Sequence, residues 1–447
     1  MFSKILIANR GEIAVRIIRA CREMGIATVA VYSTADSTAM HVMMADESVC
    51  IGDAPAKSSY LNQNAIVTAA IETGAVAIHP GYGLLSENAG FINLCEKCGI
   101  KFIGPSAEVV AKMGDKDVAR RTMKDAGVPV VPGYDLVPDA ATAKREAANI
   151  GFPLLLKARA GGGGKGIRLV NNLSEVEAAF VSASQEAEAA FGDGGMYMEK
   201  FLSPVKHIEM QVLADTHGNI LVLGERECSV QRRNQKLIEE SPSAAVTPEL
   251  REKMIKSAAA AAKAVGYVNA GTIEYLVDSK GNYYFMEMNT RLQVEHPVTE
   301  LVTNIDIVKL QIRIAAGVEL KIRQKDILFR GHAIECRINA ENPKENFRPG
   351  AGRITAFHQP GGPWVRFDTA IYQDYLIPPY YDSMIGKLIV YAKHRKEAIR
   401  KMRAALAELI IEGVDHNSEF QQEILVHPVF EEGDYYTDFL PKHMGIK

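Results

Sequence analysis

Hydrophobic positions in the first hundred residues follow two alternating rhythms. Short runs of strand-forming residues stand at 4–9 (KILIAN), 27–33 (ATVAVYS), 75–80 (AVAIHP) and 100–105 (IKFIGP). Between them, apolar residues return every three to four positions. The stretch 11–25 carries Ile13, Ile17, Ile18 and Cys21 at helical spacing, with Gly25 placed to cap it. The stretches 62–74 and 86–99 read as helices in the same way. Strands alternating with helices predict a parallel sheet covered on both faces, with ligands at the carboxyl ends of its strands. The first strand-to-helix turn, Asn9-Arg10-Gly11-Glu12, lacks the G-x-G-x-x-G fingerprint, which argues against a dinucleotide site.

The texture changes near residue 129, where VPVVPGYD reads as a linker. A small segment follows over about 133–203: a helix in ATAKREAANIG, a strand in FPLLLKA, a glycine run, and a helix in LSEVEAAFVSASQEAEAAF. Beyond 204 the pattern is mostly antiparallel, with KHIEMQVLAD and NILVLGERE joined by a turn, a helix over 248–266, and a hairpin of TIEYLVD and NYYFMEMN. Residues 331–447 mix strands (HAIECRINAE, MIGKLIVYA) with a late helix, KEAIRKMRAALAELI.

Composition narrows the class. With 447 residues, 47% apolar and 23% charged, the chain has the make-up of a globular protein of about three domains. A net charge of −3 gives no global reason to expect nucleic acid or an anionic membrane as partner. No apolar run approaches a membrane span, and the opening residues do not form a signal peptide. Six scattered cysteines fit a reducing compartment. Cys95 and Cys98 form a C-x-x-C, but within a helical stretch and with no second pair at zinc spacing, so both read as helix-face residues.

Three constellations carry chemistry. The run Lys157-Ala158-Arg159-Ala160-Gly161-Gly162-Gly163-Gly164-Lys165-Gly166 fails the Walker A pattern at 159 and 166. What remains is a backbone without Cβ atoms, flanked by Lys157 and Lys165, able to approach a phosphate and donate N–H groups; the plainer reading is a surface loop. In the hairpin, taking Lys280-Gly281 as the turn centre places Glu274 opposite Glu287, with Asn289 on the same face. Facing carboxylates need a cation or a shared proton, and an all-oxygen set favours Mg²⁺ or Mn²⁺ over zinc; otherwise the two are harmless on a solvated face. The strand is expected to continue through Thr290, with Arg291, Gln293 and Glu295 sharing a face. An Arg fork there can hold a carboxylate-like anion beside a Glu acting as general base, and the alternative is an Arg–Glu ion pair.

Two basic stretches adjoin these. Gln231-Arg232-Arg233-Asn234-Gln235-Lys236 follows the strand LVLGERE, and Lys116 opens a helix, where a cation suits an anionic ligand rather than the helix dipole. In isolation each reads as a solvated surface run. His207 shares a polar strand face with Glu209 and Gln211, while His79 and His296 precede prolines and read as loop or strand-end residues. Together the parts describe ATP held between a glycine-loop lid and a metal-bearing antiparallel sheet, with an Arg/Glu pair handling a small anionic acceptor.

The segments KILIANRGEIAVRIIRA, AIHPGYGLLSEN, GGGGKG, CSVQRRNQK, YFMEMNTRLQVEHPVTE and GHAIECRINAE resemble biotin carboxylase, the ATP-grasp component of biotin-dependent carboxylases, over nearly the whole chain. EMNTRLQVEHPVTE is highly specific and the glycine run alone is weak. The resemblance implies a multidomain α/β and α+β fold: a pre-ATP-grasp parallel α/β domain at 1–115, an ATP-grasp domain at 116–330 with a mobile lid at about 133–203, and a C-terminal biotin-carboxylation domain at 331–447. It also implies residue roles. Lys116, Lys157, Gly163, Gly164, His207, Gln231, Asn234 and Leu276 would contact ATP, and the backbone of Glu199, Lys200, Phe201 and Leu202 would line the adenine. Glu274, Glu287 and Asn289 would hold two Mg²⁺ or Mn²⁺ ions. Lys236, Arg291, Gln293 and Val294 would bind bicarbonate; Glu295 would deprotonate it for attack on the γ-phosphate; and Arg337 would stabilise the biotin enolate. Asn234 departs from the family pattern, which often has His there.

No Met-Lys-Met carrier motif occurs: Lys112 follows Ala111, and Met123-Lys124 is followed by Asp125. The expectation is therefore a free-standing cytoplasmic homodimer acting on biotin borne by a separate biotin carboxyl carrier protein, alongside carboxyltransferase subunits, most commonly in acetyl-CoA carboxylase and fatty acid synthesis. The alternatives are the corresponding subunit of a propionyl-CoA, methylcrotonyl-CoA or pyruvate carboxylase, another ATP-grasp ligase such as a carbamoyl-phosphate-type synthetase, or a non-catalytic ATP-grasp module.

Overall fold

The computed structural model of the chain describes residues 1–159 and 166–446. The strands β1 (Lys4–Ile7), β2 (Ala27–Ser33), β3 (Glu47–Gly52), β4 (Ala77–His79) and β5 (Lys101–Phe102) form a parallel sheet in the order β3-β2-β1-β4-β5. The periodicity located four of these strands. It did not locate β3, whose residues ESVCIG are mostly exposed at the sheet edge and so lack the apolar alternation of a strand with one buried face. The helices Gly11–Glu23, Gln63–Thr73 and Ala89–Lys97 fall where expected. The second is closed by its own chemistry: the Asn62 side chain accepts from Ala65 N, and Gly74 ends it at φ +68°. Cys95 is buried in the third helix, Cys98 is exposed at its end, and all six cysteines are free.

The strands β6 (Gly133–Val137), β7 (Leu154–Ala158), β8 (Ile167–Val170) and β9 (Met196–Lys200) make a small antiparallel sheet in the order β6-β9-β7-β8. The helices Ala140–Ile150 and Val176–Phe191 accompany it. Val137, Leu154, Leu156, Val170, Met196 and Met198 belong to a core confined to this segment. The glycine run lies between β7 and β8, and Gly163 and Gly164 fall outside the described residues.

An eight-stranded sheet forms the centre. Its strands are β10 (Val205–Ala214), β11 (Ile220–Arg232), β12 (Gln235–Ser241), β13 (Asn269–Asp278), β14 (Tyr283–Asn289), β15 (His332–Asn339), β16 (Val365–Thr369) and β17 (Met384–Ala392). The order is β14-β13-β10-β11-β12-β15-β17-β16, with every pairing antiparallel. The β12–β15 pairing carries this sheet without a break across residue 330. Helix Pro248–Ala264, with Thr247 as N-cap and Pro248 in its first turn, packs on it through Leu250, Met254 and Ala258. Ile13 and Ile17 of the first helix share a core with Leu213, Leu223 and Leu292, which fixes the parallel sheet against the central one.

Candidate active site

The carboxylate hairpin has the expected pairing but reaches it by another route. The turn between β13 and β14 is closed by a bond from Asp278 N to Asn282 O at 2.9 Å, which encloses three residues, 279–281, with Gly281 at φ +79°. Counting from it, Val277 faces Tyr283 and Tyr275 faces Phe285, a register that would set Met286 opposite Glu274. An irregularity follows at this point, with Met286 unpaired, so that Glu274 faces Glu287 and Thr272 faces Asn289. The extra loop residue and the bulge offset one another.

Glu274 is buried and heavily used. Its carboxylate accepts from His207 Nε2 at 2.7 Å, Lys236 Nζ at 2.9 Å, Asn289 Nδ2 at 2.8 Å and Gln293 Nε2 at 3.3 Å. The Gln231 side-chain amide donates to His207 Nδ1 at 2.6 Å, which leaves the Nε2–H tautomer to face Glu274. Burial opposes charge on Glu274, yet Lys236 and His207 hold its carboxyl far below the usual range. Glu287 is different. It lines the cavity and makes no hydrogen bond among the described residues. Its side chain is exposed to the cavity, where partial loss of solvation, then the charge on Glu274, pushes its pKa up. A carboxylate that is disfavoured as an anion beside a second acid, with Asn289 next to both, is a donor set that fits a hard divalent cation.

Lys236 is the hub. Its ammonium donates to Glu209 at 2.7 Å, Glu274 at 2.9 Å and Glu295 at 2.6 Å, one carboxylate for each of its protons. Behind it, fully buried Arg226 pairs with Glu209 and donates to Gln211 at 2.7 Å, Thr299 at 3.0 Å and Thr272 at 3.2 Å. Glu295 is held on its other oxygen by Arg337 Nη2 at 2.8 Å, and Arg337 Nε donates to Glu239 at 2.6 Å. Burial works against ionisation of Glu295, but Lys236 and Arg337 hold its carboxyl well below the usual range.

The expected strand through 290–297 is not present: β14 ends at Asn289, and Glu295 is the N-cap residue of the helix His296–Thr303. Pro297 in the helix's first turn helps set that start. The chain turns over 290–295, so Arg291, Gln293 and Glu295 converge by folding back rather than by alternation. Arg291 donates to Gln293 Oε1 at 3.0 Å and to Asn289 Oδ1 at 3.2 Å, and it pairs with Glu87 at 2.7 Å rather than with Glu295. His296 is buried in that helix, and His79 is the last residue of β4.

The basic run 231–236 forms the end of a hairpin rather than a stretch after a strand, with Arg233, Asn234 and Gln235 exposed and Arg232 buried. Strand β11 extends to Arg232, and Arg233 and Asn234 form the two-residue turn into β12, at φ +50° and +65°. Both central residues are left-handed, a conformation asparagine tolerates well. Lys116 opens the helix Lys116–Asp125, whose N-cap Asp115 accepts from two backbone amides.

These residues surround one cavity of 1110 Å³. Lys116, Lys157 and Glu199 line one rim, with Lys157 and Glu199 ion-paired across β7 and β9. Gln231, Asn234, Lys236, His207 and Leu276 line the floor, beside Glu274, Glu287 and Asn289. Arg291, Gln293, Val294 and Arg337 line the far side, with Tyr82 and the Asn9-Arg10-Gly11-Glu12 turn. Glu295 lies fully buried just beneath. Lys200, Phe201 and Leu202 lie at the junction of β9 and β10, where Lys200 N donates to Pro132 O and Phe201 N to Pro153 O. Sequence reasoning missed Arg226, Glu239, Glu87 and Lys387. For Arg226, Glu239 and Lys387 the available signal was charge inside strands that are otherwise apolar; Glu87, in the loop before the helix Ala89–Lys97, offered no such signal.

The fold and site define an ATP-grasp ligase: a small antiparallel sheet and a larger one, with paired acids and lysines facing one cavity. Three family models cover the chain: the biotin carboxylase N-terminal domain over residues 1–110, the ATP-binding domain of the carbamoyl-phosphate synthase L chain over 115–323, and the biotin carboxylase C-terminal domain over 335–442. Biotin carboxylase 1 of Bacillus subtilis is 56% identical over 442 residues, covering 98% of each chain. A biotin carboxylase–β,γ-ATP complex from Campylobacter jejuni aligns with a TM-score of 0.94 at 50% identity, covering 99% of each chain. The biotin carboxylase domain dimer of Hydrogenobacter thermophilus 2-oxoglutarate carboxylase, with MgADP, ADP and bicarbonate, aligns with a TM-score of 0.92 at 51% identity, covering 100% of this chain and 98% of that one. The chain belongs to the biotin carboxylase family.

Proposed function

We propose that this protein carboxylates biotin on a carrier protein, consuming ATP and bicarbonate by way of carboxyphosphate. The observation that carries the reading is the chain of contacts Glu274–Lys236–Glu295–Arg337, of which Glu274, Lys236 and Arg337 line the same cavity as Lys116 and Lys157. It joins a place for phosphates to a place for a small planar anion.

In this reading Lys116 and Lys157, with the glycine run, hold the ATP phosphates. Glu274, Glu287 and Asn289 hold Mg²⁺ or Mn²⁺, which neutralises phosphate charge during transfer. Bicarbonate sits against Lys236, Arg291, Gln293 and the Val294 backbone. Its oxygen bonds to the γ-phosphorus, the bond to ADP breaks, and the bicarbonate proton passes to Glu295. As found, Glu295 is a weak base, because Lys236 and Arg337 stabilise its charge. An anion that draws on the donors of Lys236 weakens this hold and raises the proton affinity of Glu295 as the substrate arrives. Carboxyphosphate then splits to CO₂ and phosphate, the released phosphate takes the ureido N–H proton of biotin, and the ureido nitrogen bonds to the CO₂ carbon while Arg337 steadies the enolate oxygen.

We place the domain boundaries at 115/116 and 330/331, and read 133–203 as the lid. The setting we favour is acetyl-CoA carboxylase, with a separate carrier and carboxyltransferase and a homodimeric assembly. The similarity to a 2-oxoglutarate carboxylase domain keeps a keto-acid acceptor as the second reading. The test of the chemistry is ADP release in bicarbonate buffer with Mg²⁺ and ATP. Free biotin stimulates it if the reading holds; stimulation by ammonia or an amino acid, and none by biotin, overturns it.

A further inference from the structure

Behind Arg337 lies an arrangement the scheme above does not use. In the antiparallel pairing of β12 with β15, Glu239 stands directly opposite Glu335, both wholly buried. Directly opposed residues of such a pair have Cβ atoms about 5 Å apart. Glu239 uses one oxygen to accept from Arg337, two positions along the strand from Glu335. Its second oxygen and both oxygens of Glu335 accept from no described protein donor. On the other side of Glu335 the cross-strand neighbour is Ile389 of β17, which packs with Ala333, Val298 and Val302 under the helix His296–Thr303.

The cations near the pair are already committed. Lys387, opposite Arg337 on β17, donates to Val294 O at 2.8 Å and lies 3.2 Å from Glu12. Arg337 divides its donors between Glu239 and Glu295. Lys236, on β12, is spent on three other carboxylates. Glu12 and Tyr82, which are hydrogen-bonded to each other, add acid rather than base on the flank of the first helix. Of the other charged groups on these elements, Glu240 faces His332 and Arg395, and Glu300 faces Arg16 and Arg366. Two adjacent carboxylates in such a place cannot both be anions.

We infer that Glu239 and Glu335 form an acid pair holding a single proton, in which neutral Glu335 backs the Glu239 carboxylate that positions Arg337 for the biotin half of the reaction. The directions of titration agree: burial pushes Glu239 up to about 7 and Glu335 well above the ordinary carboxylate range. The carboxylate is placed on Glu239 because Arg337 touches it, and the proton on Glu335 because no described donor reaches it, the nearby Lys387 and Arg337 being bonded to other groups. Both are positioning residues. If Glu335 also lost its proton, a second negative charge would stand behind Arg337 and dull its hold on an enolate.

The inference rests on the proposed function, and its test separates the two. In the unmodified protein, ADP release in bicarbonate is measured with and without free biotin; no stimulation by biotin would count against the function itself. Given stimulation, Glu239→Gln is expected to lose biotin-dependent turnover by tenfold or more, while biotin-independent ATP cleavage and the KM for ATP stay within about twofold. Glu335→Gln, whose amide mimics a neutral acid, is expected to keep biotin-dependent turnover within about threefold. Infrared difference spectra of unmodified protein and Glu335→Gln give a readout independent of turnover: the variant should lack one carbonyl band of a buried protonated acid. Equal loss of both activities in Glu239→Gln, a tenfold loss in Glu335→Gln, or superimposable infrared spectra would each overturn the pair.

Discussion

The lid segment and the central sheet both present charge to the same cavity, but they do so in opposite ways. In the lid, Lys157 meets one partner, Glu199, and both side chains keep about a fifth of their surface exposed. Arg159 and Asp193 are more open still. In the central sheet, Glu209, Glu295, Arg226 and Glu239 are fully buried, and each is bound by more than one element or closed into a network. The cores differ likewise. The lid core draws only on its own residues, whereas the cores beneath the central sheet include residues of the N-terminal sheet and of the C-terminal region. A self-contained core with exposed, single ion pairs can shift as a unit at little cost. A buried network shared between regions cannot. Under the proposed function the difference divides two tasks: nucleotide capture to the segment 133–203, and bond-making to the sheet that holds its groups fixed.

The sharpest way to break this comparison is to remove a cation from each region. Arg226→Leu leaves buried Glu209 with Lys236 as its one remaining cation and takes donors from Gln211, Thr299 and Thr272, and removing one partner of a buried pair costs about 3–5 kcal/mol. Denaturant unfolding should show a loss of that size, with the slope unchanged. Lys157→Ala should leave unfolding stability within about 0.5 kcal/mol, as expected for a partly exposed pair. It should instead raise the KM for ATP by about tenfold, the worth of one charge-assisted contact of about 1.4 kcal/mol. Nucleotide should also slow proteolysis within 133–203 in the unmodified protein and do so less in the variant. A destabilised Lys157→Ala, or an Arg226→Leu protein of undiminished stability, would erase the contrast.

Much of this was legible in the chain, for identifiable reasons. Local periodicity located the parallel sheet, because each of its helices and most of its strands bury a face against immediate neighbours in sequence. The Glu274–Glu287 pairing was legible too, although the three-residue loop and the Met286 bulge that produce it were not. What failed were places where charge lies inside. The strand β11 continues through Glu227 to Arg232 because its polar residues are satisfied by others far along the chain, such as Glu209 and Ser243, so polarity gave a false end to the strand. The fold-back over 290–295 was hidden because alternation of Arg291, Gln293 and Glu295 imitates a strand. The Glu239–Glu335 pairing depends on a join between distant segments, which no local pattern encodes.

The central claim is that groups on the fixed sheet hand phosphate from ATP to bicarbonate, with Glu295 taking the proton. It is tested most directly by following oxygen. With heavy-oxygen bicarbonate, biotin, Mg²⁺ and ATP, carboxyphosphate formation requires that labelled oxygen from bicarbonate appear in the phosphate released. The account predicts this transfer in the unmodified protein. It also predicts a rate at least about 100-fold lower in Glu295→Gln, the low end of what a general base contributes, with the affinity for ATP largely intact. Phosphate released without label, or a Glu295→Gln protein that transfers it at the unmodified rate, would contradict it.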